Sequence, residues 1–409
     1  MIHVRDHNQK KKLCDPSFML VLRRVFIFLS VAYCQPPPGV WVTAPYALPS
    51  WGIPDVPLGG NGNLGILYDS WGSRGHGISP IPGPSKLNSV DIWFSTNSFW
   101  SCTSCNSYSP GCCAKAALGG VSIVSPSVHL TFINMTEDMS QGKLGSFWAT
   151  PNGGLFSTVS IVHPDVNIVL STLLYTPGKG DPPSLDLNVS TWVLGASAHR
   201  ARPLPGSVAC FSSSAQNVSC GDPGAQVVAA TRMGSPLGSI HPTWAGLATG
   251  VLLSSPTSLS LVPSSPPGGP PGCFPCRGAD WGVDTAFSLT AGAPGYVLTA
   301  EAETMGSYAH ASDPSPNAVA LLLPYLTAAA VADIQRDVLA FWGAFYSVSS
   351  VRLPTQPLLE TVWWGSQYIG ATAASRRALD VAPALYGPWE TADYAMWNGD
   401  YVSVAHWQR

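Results

Sequence analysis

The chain has 409 residues, a length that accommodates two or three domains, and 45% of them are hydrophobic, which is enough for a large buried core. Only 11% are charged, the formal net charge is −3, and no basic patch follows the first dozen residues, so nucleic-acid binding has little support. The 40 glycines and 38 prolines predict many turns and short strands rather than long helices.

The N-terminal residues predict a secretory leader. Met19 and the basic pair Arg23-Arg24 open an apolar run that ends in small residues near Cys34. The run is too short to span a bilayer securely, and three prolines follow it. We therefore predict residues 1–34 as a leader cleaved near Cys34, a secreted or cell-surface location, and no stable membrane insertion after cleavage. A retained signal anchor is the alternative, and Met19 is an alternative start.

Eight of the ten cysteines follow the leader, and an even set in an oxidising compartment favours disulfides. Cys210 and Cys220 flank a Ser-rich turn and are suited to closing one hairpin. The spacings Cys102-x-x-Cys105 and Cys273-x-x-Cys276 also admit zinc, but oxidised thiols are the favoured state there. The histidines show no metal-binding spacing, so we predict neither a metal nor a cofactor.

Three glycosylation sequons agree with secretion, although such tripeptides also occur by chance. They are Asn134-Met135-Thr136, Asn188-Val189-Ser190 and Asn217-Val218-Ser219.

Residues 40–312 predict a β-sandwich domain. Short apolar runs with partial period-two alternation are separated by Gly, Pro, Asn and Ser clusters, as in many-stranded sandwiches. The runs include 121–124, 128–132, 159–163, 166–170, 208–211, 226–230, 251–253 and 286–290.

Helical periodicity begins after about residue 313. Apolar residues from Val331 to Phe345 recur at helical spacing, with Asp333, Arg336 and Asp337 outside the stripe, which predicts a helical linker over 313–350. A second helix is predicted from Leu358 to Arg377. Its apolar face is formed by Leu358, Val362, Ile369 and Ala373.

Two segments of the β region are candidates for contact with a ligand. The glycines of Pro57–Gly65 permit a tight turn between strands or a loop that reaches a ligand cleft, with Asn61 as a binding candidate. The Gly-Lys-Ser/Thr ending of a phosphate loop is missing, so nucleotide binding is not expected. The aromatics of Asp91–Trp100 suit a sugar surface, but core packing is favoured.

Residues 383–401 combine aromatics, carboxylates and turn residues, a mixture that suits a sugar-binding cleft. Pro383, Gly387, Pro388 and the pair Asn398-Gly399 predict a long ordered loop. Glycoside hydrolysis needs two flanking carboxyl groups, and Glu390 and Asp400 are available. Nothing in their spacing sets the required separation, so capping or hydroxyl binding by these carboxylates is the favoured interpretation.

Residues 363–376 and 382–401 resemble the start of the helical catalytic domain of glycoside hydrolase family 95 and its six-hairpin relatives. The matching features are a Tyr-Ile-Gly-Ala-Thr-Ala-Ala-Ser-Arg helix, a Pro-Ala-Leu-Tyr-Gly-Pro-Trp loop and a Trp-Asn-Gly-Asp-Tyr turn. Residues 57–65 and 91–100 are similar to the entry and a later segment of the family's β-domain. The stretch from about 100 to 320 is compatible with the family only in that it is predicted to be β-sheet.

The resemblance implies an N-terminal β-supersandwich, a helical linker over 313–350 and the start of an (α/α)6 barrel over 351–409. It also implies a secreted, inverting glycosidase of the α-L-fucosidase or α-L-galactosidase type that acts on oligosaccharides or glycans. Family members continue after the Asp-Tyr pair with asparagines that position water. Here Tyr401 is followed by residues 402–409, which contain no asparagine.

We therefore predict a β + α multidomain protein with a truncated barrel, in which the catalytic acid and base are missing and the chain as given is inactive. The predicted substrate-binding residues are Asn61, Trp389, Glu390, Trp397, Asn398, Asp400 and Tyr401. The alternative is a non-catalytic carbohydrate-binding or cell-surface β-sandwich protein.

Overall fold

The computed structural model describes most of the chain between residues 39 and 374, together with a short C-terminal stretch. The described ranges are 39–41, 56–69, 89–102, 113–115, 117–193, 206–220, 222, 224–233, 244–253, 260–264, 281–304, 312–374 and 387–389. The predicted leader therefore lies outside them.

Two large antiparallel sheets dominate the described residues. The ten-stranded sheet has the order β1-β8-β9-β10-β11-β19-β16-β15-β13-β14, and the seven-stranded sheet has the order β17-β18-β12-β7-β4-β3-β2. The strands are β1 Gly39–Trp41, β2 Leu58–Gly60, β3 Leu64–Asp69, β4 Ser89–Thr96, β5 Trp100–Cys102, β6 Cys113–Lys115, β7 Gly119–Val124, β8 Thr131–Asp138, β9 Lys143–Ala149, β10 Leu155–Val162, β11 Ile168–Thr176, β12 Ser184–Val193, β13 Gly206–Ser212, β14 Asn217–Val218, β15 Ala225–Met233, β16 Trp244–Leu253, β17 Ser260–Ser264, β18 Trp281–Thr290 and β19 Gly295–Thr304.

The main core lies between the inner faces of the two sheets. Strand alternation places Leu185, Leu187 and Val189 of β12 on the inner face, because successive side chains of a strand point to opposite faces. They share one buried cluster with Phe156 and Leu173 of the ten-stranded sheet. The alternation of apolar and polar residues that predicted a sandwich therefore corresponds to side chains buried between the two sheets.

Three helices follow the sheets in the chain: α1 Ser315–Leu322, α2 Ala328–Val348 and α3 Pro357–Ala373, with a 3-10 turn at Leu323–Tyr325. They form a second core with side chains of the ten-stranded sheet, including Ile168 and Leu298. The hydroxyl of Thr327 accepts a hydrogen bond from the Ala330 N–H at 3.2 Å and caps the start of α2. A β-rich part followed by a helical part is thus confirmed. The barrel and the domain boundaries stay predictions.

The two main helices differ in how well their periodicity predicts the buried face. Val331, Ile334, Val338 and Trp342 of α2 are buried, as the stripe predicts. The aliphatic face predicted for the second helix is instead largely exposed, with Leu358 at 70%, Val362 at 54% and Ile369 at 47%. The buried side chains of α3 are Trp364, Tyr368 and Thr372, because the aromatic side of this helix packs on the sandwich.

The predicted disulfide between Cys210 and Cys220 is present and joins the ends of the β13–β14 hairpin. Cys102 lies opposite Cys113 in the two-stranded β5–β6 sheet. Cys105, Cys273 and Cys276 lie outside the described residues.

Among the described helices, none is by itself long and apolar enough to cross a membrane. The segments Ser315–Tyr325 and Ala328–Val348 meet the length and composition limits only as a pair, and they are bent by 92°.

Candidate functional site

The β2–β3 hairpin collects contacts from both sheets and from the helical part. Its turn is formed by Asn61, Gly62 and Asn63, and Gly62 has a φ of 90°, a conformation that favours glycine. β2 is the outermost described strand of the seven-stranded sheet, so one of its edges has no neighbouring strand there. The tight turn predicted for residues 57–65 is therefore present.

The Asn61 side chain holds this turn in place. Its amide nitrogen donates to the carbonyl oxygens of His163 at 3.1 Å and Val166 at 3.0 Å. Its side-chain oxygen accepts from the N–H groups of Asn63 at 3.1 Å and Leu64 at 2.9 Å. Because the side chain is only 4% exposed and serves four backbone groups, its shown role is structural, and its role in glycan binding stays a prediction.

A buried polar chain continues from Asn61 into the ten-stranded sheet. The Asn61 amide nitrogen also lies 3.3 Å from the side-chain oxygen of Asn167, whose own amide donates to Glu301 at 2.7 Å. Glu301 belongs to β19 and is 1% exposed. Buried polar groups that satisfy one another fix a single arrangement, so this chain sets the position of the turn relative to the second sheet.

The end of α3 is bound to the same turn through main-chain groups. The Gly62 N–H donates to the Thr372 carbonyl at 2.8 Å. The Asn97 amide donates to the carbonyls of Gly62 at 2.6 Å and Ala373 at 3.2 Å. The last carbonyls of a helix lack partners within the helix, and these donors supply them.

The segment after β4 also binds a carboxylate of β19. The Ser98 hydroxyl lies 2.6 Å from both oxygens of Glu303, and the Thr96 hydroxyl donates to the same carboxylate at 2.5 Å. Trp93 and Phe99, which flank these polar groups, are both fully buried. Core packing is therefore the observed role of the described aromatics in this segment.

The outer edge of β2 is covered by side chains instead of a strand. The Tyr368 hydroxyl donates to the Leu58 carbonyl at 2.9 Å, and the Trp389 indole N–H donates to the Gly59 carbonyl at 2.8 Å. The Leu58 N–H donates to the Glu137 carboxyl group. Exposed strand edges are prone to pair with other chains, and the contacts made by the Leu58 main chain cover part of that edge.

Trp389 serves as an anchor at this edge. It is 7% exposed and packs with Leu67, Trp93 and Trp192 in a small buried cluster. The chain next to it runs so close to β3 that a Cβ at Gly65 would lie 2.5 Å from the Pro388 carbonyl oxygen. The structure therefore gives Trp389 a packing role, and stacking of its ring on a sugar stays a prediction.

Glu137 introduces a titratable group into the contact between sandwich and helices. Burial raises the pKa of its carboxyl from 4.5 to about 8, and the Leu58 hydrogen bond opposes this only in part. Burial, and then the charge of Glu137, raises the pKa of the Tyr346 and Tyr368 hydroxyls. Asp138 adds a second negative charge next to the two tyrosines. Glu137 is thus mostly neutral at pH 7.

The remaining predicted site residues lie outside the described ranges. They are Glu390, Trp397, Asn398, Asp400 and Tyr401. Within the described ranges, no three His, Cys, Asp or Glu side chains are grouped so as to hold a metal ion.

The sequence did not indicate Asn97, Tyr368, Thr372 or Glu137 as members of this contact. Asn97 follows directly after β4, and a short polar residue there is a turn signal, but the neighbouring aromatics dominate that segment. Glu137 follows a sequon and carries no pattern that predicts burial.

Fold and site together define a two-sheet antiparallel sandwich with helices docked on its outer face and on one hairpin. No protein-family profile and no curated protein matches the chain. Several solved structures are similar to the chain over part of their own length. A kojibiose phosphorylase from the human microbiome has 9% identity and a TM-score of 0.49 over 77% of this chain and 39% of that one.

Two further similar structures also have names that refer to carbohydrates. A family 92 inverting mannosidase from Bacteroides thetaiotaomicron has 10% identity and a TM-score of 0.38 over 79% of this chain and 38% of that one. A bacterial glucoamylase complexed with acarbose has 6% identity and a TM-score of 0.39 over 82% and 44%. The chain thus spans about two fifths of the length of these proteins. At such identities and scores, the functional argument rests on the residues of this chain.

Proposed function

We propose that the chain belongs to a secreted, glycan-acting glycoside hydrolase of the six-hairpin type, whose whole protein has an inverting α-L-fucosidase-like or α-L-galactosidase-like activity. The observation that carries the proposal is the convergence of the segments that resemble this family. Parts of 57–65, 91–100, 363–376 and 382–401 are far apart in the chain, yet they meet at one hairpin.

This convergence suits a glycan cleft because such sites need a few polar groups held by rigid elements. Trp389 is fixed by its hydrogen bond to Gly59, and Glu390 is the next residue in the chain. Trp397 and Asp400 follow within the same motif. We propose that these residues and Tyr401 contact the sugar, with Asn61 and Asn97 holding the supporting turn.

Calorimetry and hydrolysis assays on residues 35–409 test the proposal. We expect measurable binding of fucosylated or galactosylated oligosaccharides and no turnover of aryl α-L-fucosides above buffer, because no acid and base pair at the required separation is identified. Trp397→Ala and Asp400→Asn should each weaken binding at least several-fold. Asp186→Asn, which removes an exposed charge from β12, is the matched control and should bind like the parent.

Three results would decide against parts of the proposal. Absence of binding to every glycan by a cooperatively folded chain would refute it. Binding that survives both substitutions would favour the alternative, a non-catalytic carbohydrate-binding protein that uses another surface. Clear fucoside turnover would show that the acid and base are present after all.

A further inference from the structure

The three sequons differ sharply in their positions in the fold. Asn217 lies on β14, which is the last described strand of the ten-stranded sheet and pairs only with β13. Both Asn217 and Ser219, the residues that define this sequon, are exposed. The side chain at this position is therefore free to carry a large hydrophilic group.

The other two sequons lie within the sheets. Asn134 is on β8, between β1 and β9, and its side-chain oxygen is buried with no hydrogen-bond partner in the described part of the chain. Asn188 is on β12, between β18 and β7, and is only partly exposed, with Ala286 and Val124 opposite it. Asn134 is likewise only partly exposed, so both residues leave less room for a glycan than the exposed Asn217 does.

The hairpin that carries Asn217 is rigid. The Cys210–Cys220 disulfide closes it, and Asn217 lies opposite the buried Phe211 in the strand register. The Ser212 N–H donates to the Gln216 carbonyl at 2.9 Å and closes the turn. A group attached to Asn217 therefore leaves the surface from a fixed point.

We propose that Asn217 carries an N-linked glycan and that Asn134 and Asn188 do not. The donor is a lipid-diphosphate-linked oligosaccharide. A bond forms between the Asn217 side-chain nitrogen and C1 of the first sugar, the bond from C1 to the diphosphate oxygen breaks, and one proton leaves the amide nitrogen. The inference rests on the secretory route in the proposed function.

The glycan would also protect the sheet. The outer edge of β14 faces no further strand among the described residues, and such edges pair readily with strands of other molecules. A bulky hydrated group on this two-residue strand blocks that approach. The same strand thus offers both the accessible acceptor and a reason for its modification.

Expression of the full chain in secretory cells tests the site. One arm keeps the native leader, and the other carries an established secretory leader in place of residues 1–34. Deglycosylation should produce a single downward shift in mass, and peptide mass spectrometry should place the glycan on Asn217. Asn217→Gln and Ser219→Ala should abolish the shift, Ser219→Thr should retain it, and Asn134→Gln and Asn188→Gln should leave it unchanged.

The two arms separate failure of the site from failure of the secretory route. Unmodified Asn217 in protein exported by the second arm would overturn the site, as would a glycan on Asn134 or Asn188. Glycosylation in the second arm only would support the site at Asn217. It would contradict the prediction that residues 1–34 are a secretory leader, and with it the secreted location.

Discussion

Glu137→Gln tests whether the contact between sandwich and helices depends on a proton. The carboxyl group accepts the Leu58 N–H and lies near Tyr346, Tyr368 and Asp138, so glutamine keeps the shape and the acceptor but cannot ionise. The substitution therefore isolates the charge from the packing.

The size of the effect follows from linkage. The pKa of Glu137 is about 8 in the folded protein against 4.5 ordinarily, so the folded state holds this proton more tightly than the unfolded chain does. The stability that this contributes is full below about pH 4.5 and is lost as the pH rises through about 8. At about 1.4 kcal/mol per pKa unit, the loss between about pH 6 and pH 8 is at most about 2 kcal/mol. Partial exposure reduces it to about 1 kcal/mol.

Chemical unfolding of the parent, Glu137→Gln and Asp186→Asn at about pH 6, 7 and 8 measures this directly. We expect the parent and the Asp186→Asn control to lose about 1 kcal/mol more than Glu137→Gln over this range. Parallel curves for all three proteins would show that Glu137 ionises freely when folded and would refute the argument.

Two glycines and one alanine give further tests by thermal unfolding. Gly65→Ala should cost about 1–3 kcal/mol and increase amide exchange at Gly387 and Trp389, because the new Cβ would meet the Pro388 main chain. Gly343→Ala on the open side of α2 should be neutral or stabilising, and equal effects of the two substitutions would contradict the close approach at Gly65. Ala215→Gly should stabilise by up to about 1 kcal/mol, because Ala215 has a φ of 60°, and a clear loss of stability would refute strain at this turn.

The sequence predicts the overall architecture better than it predicts which face of each helix is buried. Alternation in the first half of β12 and the stripe from Val331 to Trp342 follow directly from burial on one side, so these elements are predictable. In α3 the aliphatic side suggests the buried face, yet the face that is buried is the one that carries Trp364 and Tyr368. The elements that pack against a helix decide which of two apolar faces is buried, and the local sequence pattern gives no information about those elements.

The candidate site was predictable in its parts but not in its assembly. The turn at residues 57–65 and the aromatic segment near Trp389 are visible in the sequence as separate motifs. That Asn97 binds the end of α3, or that Asn61 reaches the loop at His163, depends on contacts across more than 100 residues of chain. No spacing rule extends over such separations.

The contacts between the hairpin and the helical part use mostly main-chain oxygens. Leu58, Gly59, Gly62, Thr372 and Ala373 all contribute carbonyl groups, which any amino acid would provide. Substitutions at Leu58 or Ala373 would therefore leave the accepting atoms in place. Insertion or deletion of one residue in the turn or in α3 would misalign every one of them. Homologous proteins could thus diverge widely in sequence at this junction while its length stays fixed.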